Sequence, residues 1–137
     1  MQIEYRVVKT ADEKQIMDLY LQAGWWDDNP DNIITITKII ANSYCFVIAV
    51  SDERVIGMGR AISDGYSDAY IQDVTVLNEY RKQGIGKGII RTIISFLREN
   101  KIQWIGLISE PNAVDFYESL GFTQMKDHIP FIYQTIN

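Results

Sequence analysis

The chain has 137 residues, 47% of them hydrophobic and 23% charged, with a formal net charge of −5. Those values suit a single domain, residues 1–137, that buries a core without a disulfide or structural metal. The acidic balance argues against nucleic acid as a partner, and one cysteine with one histidine excludes an internal disulfide and a Cys/His metal site. No basic-then-apolar leader opens the sequence and no apolar run is long enough to cross a bilayer, so a cytoplasmic protein without a membrane partner is expected.

In chain order, Ile3–Val8 alternates loosely and reads as a first strand. Asp12 then opens a helix with Ile16, Leu19, Tyr20 and Ala23 on one face, stopped at Gly24. Trp25-Trp26-Asp27-Asp28-Asn29-Pro30 follows as a loop, and Ile33, Ile36, Ile39 and Ile40 predict a second helix over Asp31–Asn42. Tyr44–Val50 is a continuous apolar run, a buried strand in which Cys45 acts as a small hydrophobe. Val55–Ile62 pairs back on it across the turn Ser51–Arg54. Gly57 and Gly59 in that arm indicate a bulge or a closely approaching ligand.

Ser63–Ser67 is a second polar turn, and Ala69–Leu77 is the next strand. A basic glycine-rich loop leads into a helix ending near Asn100, with Ile85, Ile89, Ile93 and Phe96 inward and Lys87, Arg91, Ser95 and Arg98 outward. Gln103–Ser109 is expected as a strand, and Asn112 opens a short helix through Leu120, closed by Gly121. Phe122–Met125 and Phe131–Ile136 are expected as the last strands. The result is an α/β fold, a mixed sheet of six to seven strands flanked by about four helices.

The loudest chemical feature is Arg81-Lys82-Gln83-Gly84-Ile85-Gly86-Lys87-Gly88 between a strand and a helix. Amides at a helix start are unpaired and the dipole there is positive. Glycines at 84 and 86 admit an anion to the backbone. Arg81, Lys82 and Lys87 add formal charge, so a phosphate or pyrophosphate fits. A Walker loop is excluded because Arg81 replaces its first glycine and Gly88 its hydroxyl residue. A dinucleotide fingerprint fails at Ile89, and such a loop follows the first strand rather than the fourth. A glycine-rich helix entry without a ligand is the plain alternative.

Arg81-Lys82-Gln83-Gly84-Ile85-Gly86 matches the Gln/Arg-x-x-Gly-x-Gly/Ala signature of the GCN5-related N-acetyltransferase (GNAT) superfamily, which the sequence resembles. Val74–Arg81 is similar to that family's strand and loop entry. Asn112–Phe122 resembles its Asn-x-x-Ala-x-x-Phe-Tyr-x-x-x-Gly-Phe region, with slightly shorter spacing between asparagine and tyrosine. The order of elements agrees over nearly the whole chain.

The resemblance implies a GNAT fold with splayed central strands and an acyl-CoA-dependent N-acyltransferase. Acetyl-CoA would be the donor, no metal would take part, and the acceptor would be the primary amine of a small molecule. Amides from about Gln83 to Gly88 would hold the CoA pyrophosphate, beside Arg81, Lys82, Gly84, Gly86 and Lys87. Backbone groups of Val74 and Val76 would bind the pantetheine arm in a V between splayed strands, and an amide there would polarise the acyl carbonyl. Asn112 would contact CoA, and Tyr117 would protonate the departing thiolate. Packing alone is the other reading of Tyr117.

Asp73 is the candidate for helping the amine lose its proton, directly or through water; simple alternation puts it on one face with Ile71 and Thr75. A hydrogen bond to nearby backbone is its alternative. Trp25 and Trp26 are candidate substrate-binding residues, an aromatic wall for an amine, with packing beneath the loop as the alternative. Two other readings stay open: acetylation of a protein or peptide amine, and a CoA-binding domain without turnover. Exposed strand edges leave room for a homodimer.

Overall fold

The computed structural model describes residues 2–134. The chain divides into two units, Met1–Leu107 and Ile108–Asn137.

The first unit holds one five-stranded sheet in the order β1 (Glu4–Val7), β2 (Cys45–Ser51), β3 (Arg54–Ser63), β4 (Asp68–Val76) and β5 (Trp104–Gly106). The first four pair antiparallel, whereas β4 and β5 run parallel. That change of direction needs a crossover, and α3 (Ile85–Glu99) supplies it. Helices α1 (Glu13–Gln22) and α2 (Asn32–Asn42) lie between β1 and β2 in the chain. Strand β2 is buried at all seven positions, as expected of a strand covered on both faces.

The β2–β3 turn is two residues, Asp52 and Glu53, both with positive φ (48° and 63°). A turn left-handed at both centres matches the twist of its strands, even without the usual glycine. Asp12 caps α1 by accepting from the amides of Lys14 and Gln15, each at 3.1 Å. At its other end Gly24 (φ 78°) donates to Leu21 O and Trp25 donates to Tyr20 O, a Schellman closure. Helix α3 ends the same way, but Lys101 (φ 64°) occupies the left-handed position that glycine prefers.

Gly57 and Gly59 explain how closely α3 lies on the sheet. A Cβ at either position would come within 2.9 and 2.8 Å of Ile89 and within 3.2 Å of Ile93 at position 59. What approaches these glycines closely is the helix itself, rather than the ligand that the sequence allowed. Ile85, Ile89, Ile90, Ile93 and Leu97 are the buried face of α3.

In the second unit, Pro111–Ala113 form a 3-10 turn and Val114–Ser119 form α4. Gly121 (φ 97°) donates to Glu118 O and Phe122 donates to Tyr117 O, a third Schellman closure. The strands expected at Phe122–Met125 and Phe131–Ile136 do not form among the described residues, so the sheet has five strands rather than six or seven. Ile136 and its neighbour Thr135 lie outside the described residues. The Phe122 amide is used by the helix closure, Asp127 turns left-handed, and Pro130 has no N–H to donate. Strand β5 is likewise shorter than Gln103–Ser109, because its ladder with β4 spans only Asp68↔Trp104 to Tyr70↔Gly106.

Candidate active site

The loop after β4 begins with Asn78–Tyr80 in one 3-10 turn. The Asn78 amide donates to Gln22 Oε1 at 2.6 Å, which ties the loop to the end of α1. Arg81 Nε donates to Val76 O at 3.0 Å, fixing the loop to the strand it leaves. Lys82 (φ 63°) and Gly84 (φ 79°) are both left-handed, and Gly84 is the N-cap of α3. Glycine offers no side chain to cap a helix, and none caps this one. The first main-chain bond of α3 runs from Gly88 N–H to Gly84 O at 3.1 Å, so the amides before it have no acceptor within the helix. No acidic residue occupies the first turn, while Arg81, Lys82 and Lys87 surround it. A helix start of this kind favours an anion over the helix's own preferences. Gly88 has a different local reason: a Cβ there would overlap the ring of Tyr5.

Strand β4 carries the second element of the site. Its ladder with β5 stops at Tyr70↔Gly106, and β4 runs on to Val76 with no strand on that side among the described residues. An unpaired edge able to accept an extended ligand therefore covers Val74 and Val76. The register against β3 slips between Arg60↔Gln72 and Met58↔Thr75, so Asp73 and Val74 together face Gly59. This is a β-bulge, and Asp73 at its centre is left-handed (φ 57°). The bulge overturns the simple alternation. Ile71 pairs with Ala61 on the α3 face, whereas Asp73 follows Gln72 onto the opposite face.

On that face Asp73 Oδ2 accepts from Arg60 Nε at 2.7 Å and from the Tyr20 hydroxyl at 2.8 Å. Arg60 and Asp73 are mostly buried, their side chains 15% and 23% exposed, which makes the pair stronger than a surface ion pair. Burial first, then the Asp73 charge, pushes the Tyr20 phenol far above its ordinary range. Tyr20 also carries both tryptophans: Trp26 stacks on it at 4.1 Å, and Trp25 meets it edge-on at 6.3 Å. Trp25 is exposed and Trp26 half-buried. Neither Tyr20 nor Arg60 stood out in the sequence, although an arginine inside the apolar run Val55–Ile62 is a usable signal. Cys45 is buried, which raises its thiol to about 12, and it takes no part.

In the second unit Tyr117 is half-buried between Phe116 and Phe122, with ring centroids 5.0 and 5.7 Å away. The Phe122 contact belongs to the Schellman closure at Gly121, so the helix stop also fixes the Tyr117 ring. Burial, then the Glu110 charge, raises its phenol above the ordinary value. Asn112 is exposed in the 3-10 turn. His128 is exposed and its Nδ1 lies 2.6 Å from Lys126 O. Among the described residues no three His, Cys, Asp or Glu side chains are placed to hold a metal.

Residues 10–131 match the family model described as an acetyltransferase (GNAT) domain, so the chain belongs to the GNAT acetyltransferase family. It is 28% identical to the uncharacterized N-acetyltransferase ycf52 of Pyropia yezoensis, over 88% of this chain and 79% of that one. In structure it resembles a GNAT family acetyltransferase of Streptococcus pneumoniae TIGR4, with TM-score 0.83, 24% identity and 99% and 100% of the two chains covered. It also resembles the fold of AAC(6')-Iy in complex with a CoA-containing bisubstrate analogue, with TM-score 0.79 and 16% identity over 98% and 100%.

Proposed function

We propose that this N-acetyltransferase moves an acetyl group from acetyl-CoA to the primary amine of a small molecule by direct attack. The observation that carries the donor is the start of α3: amides without acceptors, an N-cap glycine without a capping side chain, no acid in the first turn, and three basic residues around it. Such a helix end fits a pyrophosphate.

Bound acetyl-CoA supplies an activated acyl group as a thioester. The amides of Gln83 to Lys87 bind its pyrophosphate, with Arg81, Lys82 and Lys87 neutralising charge and Gly84 and Gly86 admitting it to the backbone. Val74 and Val76 offer main-chain groups along the unpaired edge of β4, and an N–H there stabilises the negative charge that develops on the acyl oxygen. Asn112 makes a further contact. Tyr117 gives a proton to the departing sulfur. Trp25 and Trp26 wall the amine, where Asp27 and Asp28 make the surroundings favourable for a cation.

A thermal-shift titration tests this reading. CoA and acetyl-CoA raise the melting temperature, whereas ATP and NAD do not, because a ligand bound only to the folded state stabilises it by mass action. An amine panel with thiol detection then gives turnover. No shift with CoA at millimolar concentration would sink the donor assignment.

A further inference from the structure

Asp73 is a non-glycine residue in the left-handed region inside a strand, at the point where the ladder with β3 slips. The contacts that hold it are Arg60 and Tyr20, which share its Oδ2. Each partner is itself held. The Arg60 guanidinium also reaches Gln72 Oε1 at 3.3 Å and Ser43 Oγ at 3.4 Å. Tyr20 is 1% exposed and stacked on Trp26. The carboxylate charge is already answered by a buried guanidinium, and what the three side chains jointly restrain is the backbone at position 73.

We infer that Arg60 and Tyr20 are positioning residues which, through Asp73, hold the β4 bulge that releases the backbone at Val74 from the β3 ladder. On this inference the carboxylate anchors the strand and does not take the proton of the amine. Its catalytic half rests on the proposed acetyl transfer; its backbone half rests on geometry alone.

The test compares glycine and alanine at position 73. Asp73→Gly and Asp73→Ala both remove the carboxylate and leave Arg60 unpaired, but only glycine adopts the left-handed conformation without strain. Asp73→Gly is expected to turn over about tenfold faster than Asp73→Ala, at equal KM for acetyl-CoA, and to melt about 3 °C higher. Equal turnover losses in two cooperatively melting variants would overturn the inference and return the carboxylate to direct proton transfer.

Tyr20→Phe keeps the ring and its stack while removing one restraint. It is expected to lower kcat several-fold, with KM for acetyl-CoA and the shape of the pH profile unchanged; a displaced acid limb overturns a purely positioning role. If the wild-type protein acetylates no amine, the proposed function fails. The melting order of the two position-73 variants then still decides whether the backbone there stays left-handed, and a Tyr20→Phe variant as stable as the wild type overturns the clamp.

Discussion

Lys87 lies in the first turn of α3, where its charge opposes the helix dipole. In the ligand-free protein that placement is mildly unfavourable, and a phosphate reverses it. Lys87→Glu should therefore stabilise the free protein by about 0.3–1 kcal/mol while removing most of the thermal shift caused by CoA. Unchanged response to CoA in that variant would take Lys87 out of the anion site. Tyr117 makes the complementary case, a residue whose hydroxyl adds nothing to its aromatic packing. Tyr117→Phe keeps the packing and should lower kcat by about a hundredfold or more with CoA affinity retained. Wild-type turnover in Tyr117→Phe would leave the phenol a core aromatic.

At the scale of elements, three helices end in the same way, with a left-handed residue just past the last turn. Glycine serves at 24 and 121, but Lys101 serves at the end of α3. Lys101→Gly removes a left-handed side chain without changing a hydrogen bond, and should raise stability by about 0.5–1 kcal/mol by chemical denaturation. These stops, the amphipathic run of α3 and the two hairpin turns were legible in the sequence, because each is a local pattern of a few residues. The helix α2 was legible too, despite its β-branched isoleucines, since Ile36 and Ile40 share a buried face.

The bulge at Asp73 was only half legible: Gly59 pointed to a bulge at this level of the sheet, but the extra residue lies in β4, where no glycine marks it. The partners of Asp73 come from α1 and β3, and only the folded sheet brings them together. The loop Arg81–Gly88 read directly, since a helix start and its charges are contiguous. Gly88 shows the limit of that reading: the loop motif points to a ligand, whereas the folded chain gives its missing side chain to Tyr5. The final strands were overestimated because β-branched and aromatic residues favour strands only where a ladder receives them.

For the whole molecule, the tyrosines set the response to alkali. Burial raises the phenols of Tyr5, Tyr20 and Tyr117 in the folded state, against about 10 in the unfolded chain. Above that pH the unfolded chain releases protons that the folded protein still holds, so stability falls as pH rises. Below it the contribution is fully present. Denaturant midpoints should be flat toward pH 9 and decline beyond about pH 10, and a flat midpoint to pH 11 would contradict the burial of these phenols.

The hydrogen bond between Tyr20 and Asp73 joins positions 53 residues apart. The meander β2–β3–β4 closes through short turns, and its contacts can form while the first helix is still undocked. The clamp must wait for that docking and for the loop closure it requires. A chain recovering from denaturant is therefore expected to regain the β2–β3–β4 meander before the Tyr20–Asp73 contact, healing in the order in which its contacts are local.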